Sequence, residues 1–289
     1  MACSGPNRRT VKRADIPADT IAGISVRVRA SIAVIAVGVI ASGCGDREVS
    51  PNPIEPSLSN YLKAFPFERF EIVEIPNTGR FYVDDNPSLI KVALRKGEPW
   101  SPELIEIFRE YARPGTTAID VGAHIGSLAV PLAFQVGPTG RVYAFEPQRR
   151  VYRELFHNLQ LNGLDHATPL MLAVSSAPGI LEMAPPEFDD GFTRIGSGGE
   201  QVEARTLDSF GFTDVSLIKI DVEGHEIEVL KGAEQTILKW HPALIVETGR
   251  RNKEQFLEPM LAEWGYNLRK IDNGWLDFLA TYEDAQRAD

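Results

Sequence analysis

Cysteine is nearly absent: the 289 residues hold only Cys3 and Cys44. No disulfide or thiolate metal site can therefore stabilise anything beyond the first 44 residues, and the rest of the chain depends on its apolar core. Long apolar runs are also lacking. The stretch from Ser31 to Cys44 is unbroken but shorter than the roughly 20 residues that span a bilayer comfortably. Positive charge is in deficit, with 30 Lys/Arg against 40 Asp/Glu. A net charge of -10 argues against a dominant phosphate-binding surface, and so against nucleic acid as a partner. What remains is plentiful apolar material: 43% hydrophobic residues suffice for a full-sized globular core.

The charge is unevenly placed. Residues 1–47 carry seven Arg/Lys and three Asp/Glu, a balance of +4, which leaves -14 for the rest. Residues 1–57 read as a separate leader: a basic segment, the small-apolar run of residues 31–44, and the Pro-rich tether Pro51-Asn-Pro-Ile-Glu-Pro56. That order resembles a secretory signal. Ala41-Ser-Gly-Cys44 also looks like a lipoprotein box, although leucine is usual where Ala41 stands. A disordered or mis-started leader is the alternative, because some 30 residues precede the apolar run. A cytoplasmic protein is expected, with membrane association through residues 31–44 as the variant.

Residues 58–115 predict a small β-extension and a helix. Its strands are Phe70–Ile75, Arg80–Val83 and Leu89–Leu94, with a turn at Pro76-Asn-Thr-Gly79. Ser101-Pro102-Glu103 then opens a helix that presents Leu104, Ile107, Phe108 and Tyr111 on one face. Residues 116–289 alternate apolar strands with amphipathic helices. The strands are Thr117–Val121, Arg141–Phe145, Pro169–Val174, Ser216–Ile220 and Ala243–Val246, with two more near 267–271 and 276–281. Strands apolar throughout and joined by helices imply an α/β fold with a mostly parallel, doubly wound sheet, which binds ligands beyond the strands' carboxyl ends.

Asp120-Val-Gly122-Ala-His-Ile-Gly126 lies at such an end and leads into a helix. Its glycines allow a sharp turn and close approach to a ligand. Their spacing is not the Gly-x-Gly-x-x-Gly of dinucleotide folds, which disfavours a nicotinamide-dependent oxidoreductase. The preceding acid suits a ligand with a positive group. Glu146 ends the second strand, where an acid commonly holds a ribose diol.

In order and spacing, several stretches resemble the FkbM family of S-adenosylmethionine-dependent methyltransferases. They are Asp120–Gly126, Tyr143–Pro147, Asn158–Asn162, Leu172–Ser175, Arg205–Asp208, Ile218–His225 and Pro242–Glu247. The resemblance implies a Rossmann-like methyltransferase fold with a terminal antiparallel strand. It also implies S-adenosyl-L-methionine as cofactor and O-methylation of a hydroxyl on a small-molecule, glycan or lipid acceptor. His124 stands where asparagine is frequent.

On this reading Asp120, Gly122, Gly126, Glu146 and Ala173 bind cofactor, Val174 joins Ala173 at the adenine face, and Asp221, Glu223 and His225 are the catalytic candidates. Arg194, in a Gly-rich loop after the third strand, and Glu247 are assigned to the acceptor. Each residue also has a plainer reading: Asp120 as a helix cap, Ala173 as core, His225 as a polar first-turn residue, and the loop as a surface connection. Lys219, within an apolar strand, demands a paired carboxylate from Asp120, Asp221 or Glu247. The carboxylates are compatible with a hard metal without requiring one, and no metal is assigned. A non-catalytic, exported or membrane-tethered lipoprotein-like binding protein on the same fold is the alternative function. No motif speaks to oligomeric state or acceptor identity.

Overall fold

Two strands that are buried at every residue organise the molecule: β3 (Thr117–Val121) and β9 (Val215–Ile220). They lie side by side and parallel at the centre of a seven-stranded sheet. The structure is a computed structural model and describes residues 70–84, 88–184 and 190–282. The predicted leader, its tether and Ala41–Cys44 lie outside the described residues. No helix among the described residues is long and apolar enough to cross a membrane.

In chain order, β1 (Glu71–Ile75) and β2 (Gly79–Val83) form a hairpin. Helices α1 (Leu89–Arg95) and α2 (Pro102–Tyr111) lead into β3. Then come α3 (Ala129–Val136), β4 (Arg141–Phe145), α4 (Arg149–Leu161) and β5 (Ala167–Leu170). The short strands β6 (Ala173–Val174), β7 (Gly179–Glu182) and β8 (Gln201–Arg205) make a separate three-stranded sheet. After β9 come α5 (Glu226–Lys231), α6 (Glu234–Trp240) and β10 (Ala243–Glu247). A helix follows from Arg250–Asn252 through the π turn Lys253–Leu257 to Glu258–Glu263, and then β11 (Tyr266–Lys270) and β12 (Asp277–Tyr282). The main sheet runs β11-β12-β10-β9-β3-β4-β5; β12 alone opposes the others, inserted between β10 and the edge strand β11. This is the Rossmann-like methyltransferase architecture, parallel except for its last strand.

Strand periodicity divides the core between the sheet's two faces. Ala118 and Leu217 pack with Leu132, Leu155 and Phe108 on one side, while Ile119, Ile218 and Ile220 pack with Leu230 and Ile237 on the other.

Two predicted strands are corrected. Leu89–Leu94 is helical because its buried positions, Lys91 and Leu94, fall three apart, and because Lys91 is drawn inward by Asp84 at 2.6 Å and Glu154 at 2.9 Å. Its β-branched residues read as a strand only in isolation. Pro169–Val174 is not one strand: β5 ends at Leu170, and Ala173–Val174 leaves to pair with β8. Strands β7 and β8 were not predicted. Ser101 occupies the cap position of α2 with φ 44° but makes no side-chain cap bond.

The hairpin's outer edge is closed by side chains. The Asn162 amide on α4 both accepts from the Arg80 N–H (2.9 Å) and donates to the Arg80 carbonyl (2.7 Å), and the Asn158 Oδ1 accepts from the Tyr82 N–H (2.7 Å). One helical turn separates the two asparagines and two residues separate their strand partners, so the helix rise matches the strand's alternation.

Candidate active site

Beyond the carboxyl ends of β3 and β9 the two following turns touch. A Cβ on Gly122 would stand 1.7 Å from the Asp221 carbonyl oxygen, and the glycine's φ is +84°. Only glycine permits this approach. The sheet order also reverses here, β4 and β5 lying to one side and β10 and β12 to the other, which is where such sheets open a crevice. A cleft occupies the position, enclosing about 670 Å³ of space that includes its opening to solvent. Gly122, His124 and Glu146 line one wall, Asp221, Glu223 and His225 another, and Leu172, Ala173 and Val174 give it an apolar side.

Glu146 is buried, and both of its oxygens are fixed by backbone. Oε2 accepts from the His124 N–H and Oε1 from the Gln148 N–H, each at 2.9 Å. A carboxylate offers about four acceptor positions, so two remain for a ligand's hydroxyls. Burial pushes the carboxyl's pKa up, opposed by the charge of His124 and by these two amides. His124 itself has φ 49°, in the left-handed region where asparagine and histidine are both enriched. This conformational demand accounts for histidine where the family resemblance led us to expect asparagine. Glu223, facing the cleft from the β9 turn, is likewise left-handed at φ 54°. Its turn is held by Glu226, a buried acid that the sequence reading passed over. The Glu226 carboxylate accepts from the Gly224 N–H (2.6 Å) and the Thr248 hydroxyl (3.3 Å).

Strand register gathers the acids. Asp120 lies opposite Lys219, Lys219 opposite Ile245, and Glu247, two residues after Ile245, opposite Asp277. With a period of two, all four charged residues share one face of the sheet. The Lys219 ammonium sits 3.2 Å from Asp120 Oδ1 and 3.3 Å from Asp221 Oδ2, and donates to the Gly122 carbonyl at 3.0 Å. The well-directed bond is the one to the carbonyl; the Asp120 contact is an ion pair without hydrogen-bond alignment. Burial raises the Asp120 pKa and Lys219 pulls it back. Burial lowers that of Lys219, but Asp120 and Asp221 outweigh it and leave the ammonium above its ordinary value. Glu247 is pushed up to about 8, first by burial and then by the negative charge of Asp221 and Asp277. Asp277 was also missed from sequence, although an acid opening an apolar strand is a readable signal.

A second cavity of about 410 Å³ adjoins the first and shares Ile90, Gly191, Asp221 and Glu223 with it. Glu247, Trp100 and Trp275 line only this second space, and His225 lines only the first. The His225 Nε2 lies 2.9 Å from Ser175 Oγ, and burial lowers the ring's pKa, which favours its neutral form.

A family model described as "Methyltransferase FkbM domain" matches residues 120–268. The chain belongs to the FkbM methyltransferase family. The hexuronic acid methyltransferase AglP of Haloferax volcanii is 27% identical over 159 residues, covering 53% of this chain and 63% of that protein. Methyltransferase sdnD of Sordaria araneosa is 25% identical over 211 residues, covering 59% and 81%. The solved FkbM methyltransferase of Methylobacillus flagellatus KT aligns with a TM-score of 0.46 at 21% identity, covering 62% of this chain and 50% of that one. The chain thus spans about two thirds or less of the first of these relatives and half of the solved structure.

Against the residues expected from the FkbM resemblance, Gly122, Glu146, Ala173, Asp221, Glu223 and His225 line the first cavity and Glu247 the second. Three stand elsewhere. Asp120 is fully buried, lines neither cavity and pairs with Lys219. Gly126 faces α4, where a Cβ would lie 2.9 Å from Leu155 Cδ1, so it serves helix packing. Arg194 is exposed, while its neighbours Thr193 and Ile195 line the cavity. Alternation along extended chain turns the arginine outward. Trp100 and Trp275 had no signal in the strand-end logic, since they come from segments flanking the sheet.

Proposed function

We propose that the chain is an S-adenosylmethionine-dependent methyltransferase acting on a hydroxyl oxygen of a sugar, lipid or secondary metabolite. The observation that carries this reading is Glu146, buried in the cleft with two acceptor positions left after both backbone bonds, as a ribose diol requires. The apolar wall at Leu172, Ala173 and Val174 suits an adenine ring, and the Gly122 turn leaves room for close approach. When bound, the cofactor supplies an electrophilic methyl group on a positively charged sulfur. The chain's own task is to hold an acceptor oxygen in line with that group and to receive its proton. Asp221 and Glu223 stand where the two cavities meet, and Glu247 backs them on the acceptor side. Asp221 and Glu223 are therefore the proton acceptors in this reading, and His225, held by Ser175 on the cofactor side, orients that wall.

Isothermal titration of the full chain with S-adenosylhomocysteine tests the reading. Wild-type protein is expected to bind, and Glu146→Gln to bind about 10- to 100-fold more weakly, the effect of losing charge-assisted hydrogen bonds. Absence of wild-type binding, or equal affinity in the variant, would overturn it.

Glu247 makes a second prediction, independent of any acceptor. Its folded pKa of about 8 exceeds the ordinary 4.5, so the native state holds more protons than the unfolded state between those values. The group's stabilising contribution is complete below about pH 4.5 and is lost as pH rises through about 8. Glu247→Gln is expected to raise Tm at pH 8 by about 2–4 °C, the response of a domain this size to about 1 kcal/mol, and to leave Tm at pH 4.5 nearly unchanged. Thermal melts across this range check it; an equal shift at both pH values would show that ionisation is not the cause.

A further inference from the structure

The second cavity has an unusual lining. Trp100 and Trp275 form an angled apolar wall, their ring centroids 5.6 Å apart and their planes tilted by 51°. Facing the same space are three carboxylates, Asp221, Glu223 and Glu247, and among the described residues no Lys, Arg or His lines it. The nearest cation in the sheet, Lys219, is buried and engaged with Asp120, Asp221 and the Gly122 carbonyl.

Resting on the function proposed above, we infer that the acceptor is an uncharged saccharide unit, packed against Trp100 and Trp275 and hydrogen-bonded through its hydroxyls to Asp221, Glu223 and Glu247, and that anionic sugars are excluded. The two halves of the lining match the two kinds of surface on a pyranose. Its C–H bonds are polarised by ring oxygens and carry slight positive charge, which the negative face of an indole attracts. Its hydroxyls both donate and accept; the carboxylates of Asp221 and Glu223 offer acceptors, and Glu247, held protonated by burial near neutral pH, also offers a donor. A uronate would bring its negative charge beside Asp221 and Glu223, and among the described residues no Lys, Arg or His lines the cavity to offset it. The Haloferax relative is named for a hexuronic acid, an anionic sugar; the acid-lined cavity here selects against that charge.

Saturation-transfer NMR and titration on the full chain with saturating S-adenosylhomocysteine test this, using methyl α-D-glucopyranoside, the methyl glycoside of glucuronic acid, and catechol as probes. The neutral glycoside is expected to bind, and the glucuronide to bind at least about 10-fold more weakly, as like charges in an interface require. Trp275→Ala is expected to weaken the neutral glycoside about 10-fold, by loss of the stacking surface, without changing S-adenosylhomocysteine affinity. The inference is overturned if the glucuronide binds as well as the glucoside, if only catechol binds, if no sugar binds, or if Trp275→Ala has no effect. Failure of S-adenosylhomocysteine itself to bind would instead remove the underlying functional reading.

Discussion

Lys219→Met is expected to destabilise the protein by about 3–5 kcal/mol, the usual result of removing one partner from a buried ion pair. Asp120 is fully buried beside the ammonium, and without it the carboxylate must either remain charged in a water-free sheet or take up a proton. Asp221, partly exposed, can turn to solvent and suffers less. The double variant Asp120→Asn with Lys219→Met is therefore expected to recover most of the loss, since replacing both charges leaves nothing uncompensated. Denaturant unfolding of the four proteins in the cycle measures this coupling. Additive losses in the double variant would mean that the pair is not the unit of stability. Cofactor affinity provides a separate readout, because Lys219 also tethers the Gly122 carbonyl at the cleft.

Gly122→Ala is expected to abolish either folding or cofactor binding. A methyl group 1.7 Å from the Asp221 carbonyl oxygen and 2.8 Å from its carbon meets backbone immediately after the central strand β9, which cannot rotate away as a side chain would. The positive φ adds a further ~1–2 kcal/mol for a residue with a Cβ. Relief requires the carboxyl ends of β3 and β9 to part, and those ends form the floor of the cleft. Gly126→Ala is the informative control. Its φ of +87° carries similar conformational strain, but the Cβ meets only the tip of Leu155. We expect soluble Gly126→Ala protein, destabilised by about 2–4 kcal/mol from that strain and local overpacking, with S-adenosylhomocysteine binding retained. Circular dichroism and titration of both variants decide the matter; equivalent behaviour would contradict the distinct roles assigned to the two glycines.

Much of this architecture is written in residue patterns. Thr117–Val121 and Val215–Ile220 are apolar on both faces because helices cover both sides of the sheet, so they stand out as strands without any alternation. The acids at Asp120, Glu146, Asp221 and Glu247 interrupt or end such runs, which marks them as residues retained against a desolvation cost. Their division of labour was less visible. Asp120 reads as a ligand contact from its place in the glycine loop, and only the register with Lys219 reveals it as a buried counter-ion. The same arithmetic of twos would have found Asp277, had the β10 and β12 pairing been known. Leu89–Leu94 misleads because six residues cannot separate strand from helix when a buried lysine supplies part of the pattern. The second cavity was illegible because its indoles come from separate segments, and nothing local to Trp100 or Trp275 announces their meeting.

The amide clamp of Asn158 and Asn162 gives the extension an unusual independence. On the hairpin Asn162 engages only the main chain of Arg80, its amide donating also to the Asn158 carbonyl, and the Asn158 side chain engages only the main chain of Tyr82 and Ile125, so these bonds are indifferent to which side chains β2 displays. Downstream of that strand, Ser88, Leu89 and Ile90 line the second cavity. The path of β2 is thus fixed through its backbone, while the segment that follows it reaches both cavities through Ile90 and is tied to α4 through the buried Lys91–Glu154 pair. A change in the side chains of β2 leaves the seam closed, whereas a change at Ile90 or Lys91 is felt at the cleft.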